Sequence, residues 1–270
     1  MDPLFAPQAE KEKTFSDKFS EIMDKACTVR NSSQAPRKYL GASRWGGHCE
    51  RALGYEYHQT PKDEGSEFKG KTIRIFDMGH DGEERMAEYM ELSGFKVKTH
   101  KEDGKQFGFS AAEGRLKGHI DGVITDGPDM GHKWPALWES KALGKKSFTD
   151  VQKQGIKESK PVYWAQAQIY MAYLDLAWCL FTCINRDSGE VYAEVIMFDQ
   201  HAAQKLSDKA VRIVATQNPE ELTKASQDPS NFGCMWCDYK KRCHQMFSSD
   251  RFSTPKTETN DSVPSWLKLL

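Results

Sequence analysis

The sequence predicts an α/β fold, a mixed central sheet flanked by helices. Three observations lead there. Apolar residues at 3.6-residue spacing mark helices toward both ends of the chain. Between them lie short runs rich in β-branched and aromatic residues, bounded by Gly, Asp and Pro, which mark strands. The two kinds follow one another as helix, strand meander, helices, two strands, helix, an order that a sheet covered by helices accommodates.

Phe15, Phe19, Ile22, Met23 and Cys27 fall on one helical period and predict a first helix; Asn31 to Pro36 reads as a loop. Trp45–Tyr57 reads as a second helix and Pro61–Gly70 as a charged linker. In Lys71–Gly94, residues Ile75, Met78, Met86, Tyr89 and Met90 recur at helical spacing, and Gly94 offers a C-cap. Strands are expected at Phe95–Thr99, Gln106–Glu113, Leu116–Thr125 and Ala136–Ala142. Helices resume over Lys145–Lys157 and Val162–Asp175. The strands Ala177–Asn185 and Val191–Phe198 are joined by the turn Arg186-Asp187-Ser188-Gly189, and Gln200–Thr216 is helical. Phe232–Cys243 is short, aromatic and rich in cysteine. The organisation expected is a disordered leader (1–13), an N-terminal helical segment (14–70), a core (71–217), a C-terminal cysteine segment (218–247) and a flexible tail (248–270).

A chain of 270 residues is long enough to bury a sizeable core, and 38% hydrophobic with 29% charged residues reads as soluble and globular. No stretch approaches the roughly 20 apolar residues that span a membrane. The opening MDPLFAPQAEKEK lacks a basic region followed by an apolar one, so it does not read as a secretory signal. A cytoplasmic location follows as the expectation, with cysteines kept reduced and open to metal or catalysis. The net charge of −1 is neutral for a nucleic-acid binder; a DNA partner would require basic residues concentrated locally.

The densest chemistry lies in Gly118-His119-Ile120-Asp121-Gly122-Val123-Ile124 and in Leu137-Trp138-Glu139-Ser140-Lys141. Side chains alternate along a strand, so Glu139 and Lys141 share a face while Trp138 and Ser140 point the other way. Asp121, on a neighbouring strand, can meet them. Two carboxylates and an ammonium at one point suit phosphodiester hydrolysis. Carboxylate oxygens hold Mg²⁺ or Mn²⁺, and a lysine positions water or offsets developing charge. Taken alone, an E-x-K pair on a strand is also an ordinary surface feature.

These segments resemble the PD-(D/E)XK nucleases, in particular their RecB-like branch. Gly-His-Ile-Asp-Gly-Val-Ile looks like that branch's G-x-x-D-G motif, and Glu139-Ser140-Lys141 like its E-x-K. Gln166-Ala167-Gln168-Ile169-Tyr170 looks like its downstream Q-x-x-x-Y, whose two ends share one helix face. The resemblance implies a restriction-endonuclease-like fold. It also implies metal ligands at Asp121, Glu139, the backbone carbonyl of Ser140 and an upstream helical histidine, His80, with Glu84 as the alternative. Lys141 would assist the water, and Gln166 and Tyr170 would support the site.

Cys234-x-x-Cys237-x5-Cys243 packs three of the seven cysteines into ten residues, and Cys49 is the evident fourth thiolate. Zinc and an iron–sulfur cluster both accept four thiolates, and spacing does not separate them; a Cys₃His zinc site using His48 or His244 is a further option. Cys27, Cys179 and Cys183 read as core positions. A lone cysteine before the nuclease core with a trio after it resembles the iron–sulfur nucleases, among them AddB-type subunits and the CRISPR-associated adaptation nucleases. Cys49-Glu50-Arg51 looks like their C-x-R signature. That resemblance covers most of residues 40–245. It implies a 4Fe-4S cluster stapling the N- and C-terminal segments, with zinc as the alternative.

Lys145, Lys146 and Lys153, with Lys157 and Lys160, are candidates for phosphate contacts, and Lys96, Lys98, His100 and Lys101 form a second group; each also suits a solvated face. Trp45, Tyr55 and Tyr57 suit base stacking or core packing alike. The function implied is a metal-dependent DNA exonuclease acting on single strands or duplex ends in recombination, repair or phage DNA processing. The partners implied are a separate helicase or recombination protein, or further copies of the chain. The alternative is a catalytically silent nuclease-fold subunit that binds DNA.

Overall fold

The computed structural model describes residues 12–245. The expected tail lies outside that range, as does the expected leader apart from residues 12 and 13. The chain is mixed α/β. A five-stranded sheet runs in the order β2(Lys96–Lys98), β5(Gly122–Asp126), β6(Ala136–Leu143), β7(Trp178–Asn185), β8(Val191–Met197). β6 and β7 are parallel and the other pairs antiparallel. A smaller sheet of three strands has β4(Leu116–His119) between β1(Leu40–Gly41) and β3(Gly108–Ala111).

A parallel pair needs a crossover. Here α4(Lys145–Ser159) and α5(Pro161–Leu174) supply it. They lie on the sheet face made by Leu137, Cys179, Phe181 and Cys183, where Phe148, Val151, Ile156, Ile169 and Met171 pack with Ile213 of α6(Gln200–Ala215). The opposite face, Ala136, Trp138, Trp178 and Leu180, receives Met86 and Met90 of α3(Gly70–Leu92). β6 is therefore covered on both sides, which explains why its pattern is continuous rather than alternating. α1(Phe15–Ser32) packs on α3, and α2(Glu50–Tyr57) packs on α6. Among the described residues no helix is long and apolar enough to cross a membrane.

Three elements differ from the sequence expectation. Leu116–Thr125 is two strands in two sheets, β4 and β5, parted at Ile120-Asp121. Ile120 is fully buried, so the break lies under an apolar run that conceals it in the sequence. The second helix begins at Glu50, because residues 42–47 form tight turns in which Trp45 sits in the core. α1 continues through Ser32, held at its start by the reciprocal Thr14–Asp17 capping box, so the loop begins later than Asn31.

Gly118 shows how closely the small sheet packs against α5 and the turn at Ala42. A Cβ there would stand 2.5 Å from Phe109 Cε1, 2.5 Å from Tyr170 Cε1 and 2.9 Å from Ala42 Cβ. None of these is the free end of a flexible chain. Gly118→Ala should lower stability by about 1–3 kcal/mol through overpacking, seen as a lower denaturant midpoint at unchanged slope.

Candidate active site

β5 pairs with β6 only through Gly122↔Trp138, Val123↔Leu137 and Ile124↔Ala136. Past Trp138 that edge of β6 has lost its strand partner. Asp121, the residue before β5 begins, takes over: its Oδ2 accepts from the Ser140 backbone N–H at 2.8 Å. The parting of the sheets thus creates a gap beside β6 and places a carboxylate in it.

Lys141 turns its ammonium into the same gap. Nζ lies 3.1 Å from Asp121 Oδ2, 3.5 Å from Glu139 Oε2 and 2.6 Å from the Ser140 carbonyl oxygen. Glu83 reaches in from α3, its Oε1 3.6 Å from the same nitrogen. On the α5 side Gln166 donates from Nε2 to Glu139 Oε2 at 2.9 Å and stands 3.4 Å from the Tyr170 hydroxyl. The structure therefore brings together Asp121, Glu139, Ser140, Lys141, Gln166 and Tyr170.

His80 stands outside this group. Its side chain is 77% exposed, and its Nδ1 lies 3.5 Å from Glu83 Oε2. Glu84 is exposed. The residue that α3 directs at the carboxylates is Glu83, which the sequence reading passed over. The missed signal is helix phase. Met86 and Met90 are the buried positions, and Gly82 abuts Ala142. Counting back from them turns 82 and 83 toward the sheet and 84 away.

Three carboxylates surround one ammonium in a site largely closed to water. Burial, then the Asp121 charge, pushes Glu139 well above the usual carboxylate range, against the pull of Lys141. Glu83 is raised for the same two reasons in the same order. Burial alone would lower Lys141, but Asp121, Glu139 and Glu83 outweigh it and hold the ammonium charged well above its ordinary value. Burial and the Glu139 and Asp121 charges keep the Tyr170 hydroxyl protonated. Glu139 Oε1 is buried and has no hydrogen-bond partner.

The four candidate cluster cysteines, Cys49, Cys234, Cys237 and Cys243, line one small cavity with Tyr55, Lys224 and His244. Burial raises the thiols of Cys237 and Cys243, and the Cys49 thiol nearby raises both further. Among the described residues no three His, Cys, Asp or Glu, these thiols and the three carboxylates around Lys141 included, converge closely enough to hold a single ion as the side chains stand. The two terminal segments are joined here by hydrogen bonds. Arg51 donates through Nε to the Leu222 carbonyl at 3.0 Å and also reaches the Glu220 carbonyl. His48 lies 3.1 Å from the Gly233 carbonyl, and Glu50 pairs with Arg212.

Lys145, Lys146 and Lys153 are exposed along α4. Lys157 sits 4.8 Å over the Trp164 ring, and Lys96 pairs with Asp126 at 2.7 Å. Trp45 and Tyr55 are core residues, 0% and 3% exposed, and Tyr57 packs against the same core. Cys179 and Cys183 are buried as expected, and Cys27 is half-buried where α1 meets α3.

No protein-family model matches the chain, and no curated protein does. Among solved structures, an alkaline exonuclease from Laribacter hongkongensis is similar at 18% identity, over 72% of this chain and 91% of that one, with a TM-score of 0.46. The protein SSO0001 is similar at 13% identity, over 87% of this chain and 100% of that one, with a TM-score of 0.48. A phage-related exonuclease from Haemophilus somnus 129PT is similar at 13% identity over 68% and 94%, with a TM-score of 0.38.

Proposed function

We propose that this chain is a divalent-metal-dependent deoxyribonuclease with a restriction-endonuclease-like core of the RecB-like PD-(D/E)XK kind. One observation carries the reading. The Lys141 ammonium rests among Asp121, Glu139, Glu83 and the Ser140 carbonyl, where it can neutralise only one of the three carboxylates. The excess negative charge, with the partnerless buried Oε1 of Glu139, fits a site made for a further cation.

Asp121, Glu139 and the Ser140 carbonyl would hold Mg²⁺ or Mn²⁺, all oxygen donors as these ions prefer. Glu83 would complete the set, and His80 would bear on it through Glu83. When bound, the ion supplies Lewis acidity toward the phosphate and a more acidic water. Gln166 clamps one oxygen of Glu139 and leaves the other free, so the carboxylate is oriented before any ion arrives. Lys141 orients water and offsets charge on the phosphate being attacked. Exposed Lys145, Lys146 and Lys153 lie directly downstream of β6, where they would hold the backbone of the strand entering the site. Action at DNA ends, as an exonuclease on single strands or duplex termini, follows the motif resemblance.

Cys49, Cys234, Cys237 and Cys243 we assign to one four-thiolate centre, a 4Fe-4S cluster with zinc as the competing occupant. A cluster binds each thiolate to a different iron, so its ligands stand further apart than around one zinc ion. Four thiols around one cavity support a shared centre, and the preference for the cluster over zinc rests on the motif resemblance.

The silent-subunit reading has one observation in its favour: the Lys141 ammonium already engages Asp121, Glu139, Glu83 and the Ser140 carbonyl, the oxygens a metal would need. Incubating the anaerobically purified protein with end-labelled single-stranded and duplex DNA, in Mg²⁺ and in Mn²⁺, decides between them. Release of label establishes the nuclease, and the product ladder gives its polarity. A folded, metal-loaded protein that cuts neither substrate would leave the silent subunit. Within the same assay Glu83→Gln should reduce cleavage about tenfold or more, whereas His80→Ala should reduce it only a few-fold. The reverse order would return the ligand role to His80.

A further inference from the structure

α1 carries an apolar stripe that the described residues leave uncovered. Phe15, Phe19, Ile22, Ala26 and Val29 follow one another at alternating spacings of four and three residues, which keeps them on one side of the helix over about 21 Å. Phe15 is 85% exposed, Phe19 57%, Ile22 68% and Val29 59%, and α1 buries no residue at all. The side that docks on α3 is the opposite one. There the Asp24 backbone presses on Gly70, Asp24 pairs with Arg74 at 2.6 Å, and Cys27, Thr28 and Asn31 are half-buried. The helix is thus held by its polar side and presents its apolar side outward, the reverse of a core-forming helix.

The charges beside the stripe define what fits it. Lys18 and Lys25, seven residues apart, line one flank; both are exposed and neither has an ion-pair partner among the described residues. The acids of α1 are engaged elsewhere: Asp17 in the N-terminal cap, Glu21 with Lys13 and Asp24 with Arg74. A second copy of the helix would bring lysines against lysines or arginine in register, which disfavours self-pairing. An anionic membrane surface calls for a broader cluster of cations than this flank supplies.

We propose that α1 is a docking surface for an amphipathic helix of another protein, one with an apolar seam at three-and-four spacing and acidic residues along the edge that meets Lys18 and Lys25. The stripe supplies the buried contact, and the lysines set its partner's charge and orientation.

The test uses the full chain in chelator and two fluorescent synthetic helices. They share a leucine seam and carry either glutamate or lysine at the flanking positions. The glutamate peptide should bind at least tenfold more tightly than the lysine peptide and should weaken as salt is raised. It should weaken tenfold or more against a Phe19→Asp, Ile22→Asp double variant whose melting temperature matches that of the wild type. Equal binding of both peptides, or of neither, overturns the proposal. So does a wild-type dimer in sedimentation that the double variant dissolves, which assigns the stripe to a second copy. A lower melting temperature of that variant would mean the chain covers its own stripe. Binding to phosphatidylserine-containing vesicles that the variant loses would assign it to a membrane. Each of these results excludes the partner helix.

Discussion

Glu139→Gln should abolish DNA cleavage while leaving the protein at least as stable as before. The carboxylate is fully buried, one oxygen is clamped by Gln166, and the other lacks a partner. If that oxygen binds the metal, an amide in its place removes a charged ligand worth several kcal/mol in the transition state, about a thousandfold or more in rate. The folded protein gains on the same change. Burial, then the Asp121 charge, raises the pKa of Glu139, so its ionised form is disfavoured in the native state. Removing one negative group leaves Lys141 facing two carboxylates rather than three. Label release from end-labelled DNA in Mn²⁺ reads the first effect and a thermal melt of the metal-free protein reads the second. A variant that cuts near the wild-type rate would remove Glu139 from the metal site. A variant that loses both activity and fold would make it a structural ion pair instead.

The Lys141 variant must be read differently. Lys141→Met leaves Asp121, Glu139 and Glu83 with no counter-charge, and breaking a buried pair in this way costs about 3–5 kcal/mol. Its loss of activity would mix chemistry with unfolding. Adding Mg²⁺ should raise its melting temperature more than it raises that of the wild type, because the ion then answers carboxylates that the lysine no longer does.

How far the site was legible follows from how local each signal is. Glu139 and Lys141 could be placed together because strand alternation needs only two residues, and Gln166 with Tyr170 because one helical turn joins them. Asp121 could be placed near them because the intervening Asp126–Pro135 is long enough to be a hairpin loop between neighbouring strands. The departure of β5 from β4 could not be read. Ile120 is apolar whether the strand continues or breaks, and only its burial between the sheets distinguishes the two. Glu83 and Glu84 are adjacent acids in the same helix, and their difference rests on Met86 and Met90 packing against the Trp138 face, a tertiary contact. The periodicity of α1 was legible, but its orientation was not: docking is carried by Asp24 and Gly70, a polar residue and one without a side chain. Trp45 and Tyr55 carried the same ambiguity, and enclosure decided both for the core.

Cys49→Ser should produce the second large effect, on stability rather than on chemistry. Cys49 precedes α2, whereas its three proposed co-ligands follow α6, so a shared centre closes a loop around the whole nuclease core. Cross-linking across so long a loop withdraws on the order of 4–5 kcal/mol of freedom from the unfolded chain, and ligand binding itself adds to folding. Set against the size of this domain, that is a fall of about 10–20 °C in melting temperature. The hydrogen bonds of Arg51 to the 220–222 turn, His48 to Gly233 and Asp63 to the backbone of Asp238 and Lys241 join the same two segments without the centre, so the variant should fold but more weakly. Metal and acid-labile sulfide analysis of wild type purified without oxygen identifies the occupant. Iron with sulfide means the cluster, zinc without sulfide its competitor, and the variant should lose either one. A wild type that carries neither, and melts where Cys49→Ser melts, would leave the two segments joined by side-chain packing, hydrogen bonds and ion pairs such as Lys62 with Asp238.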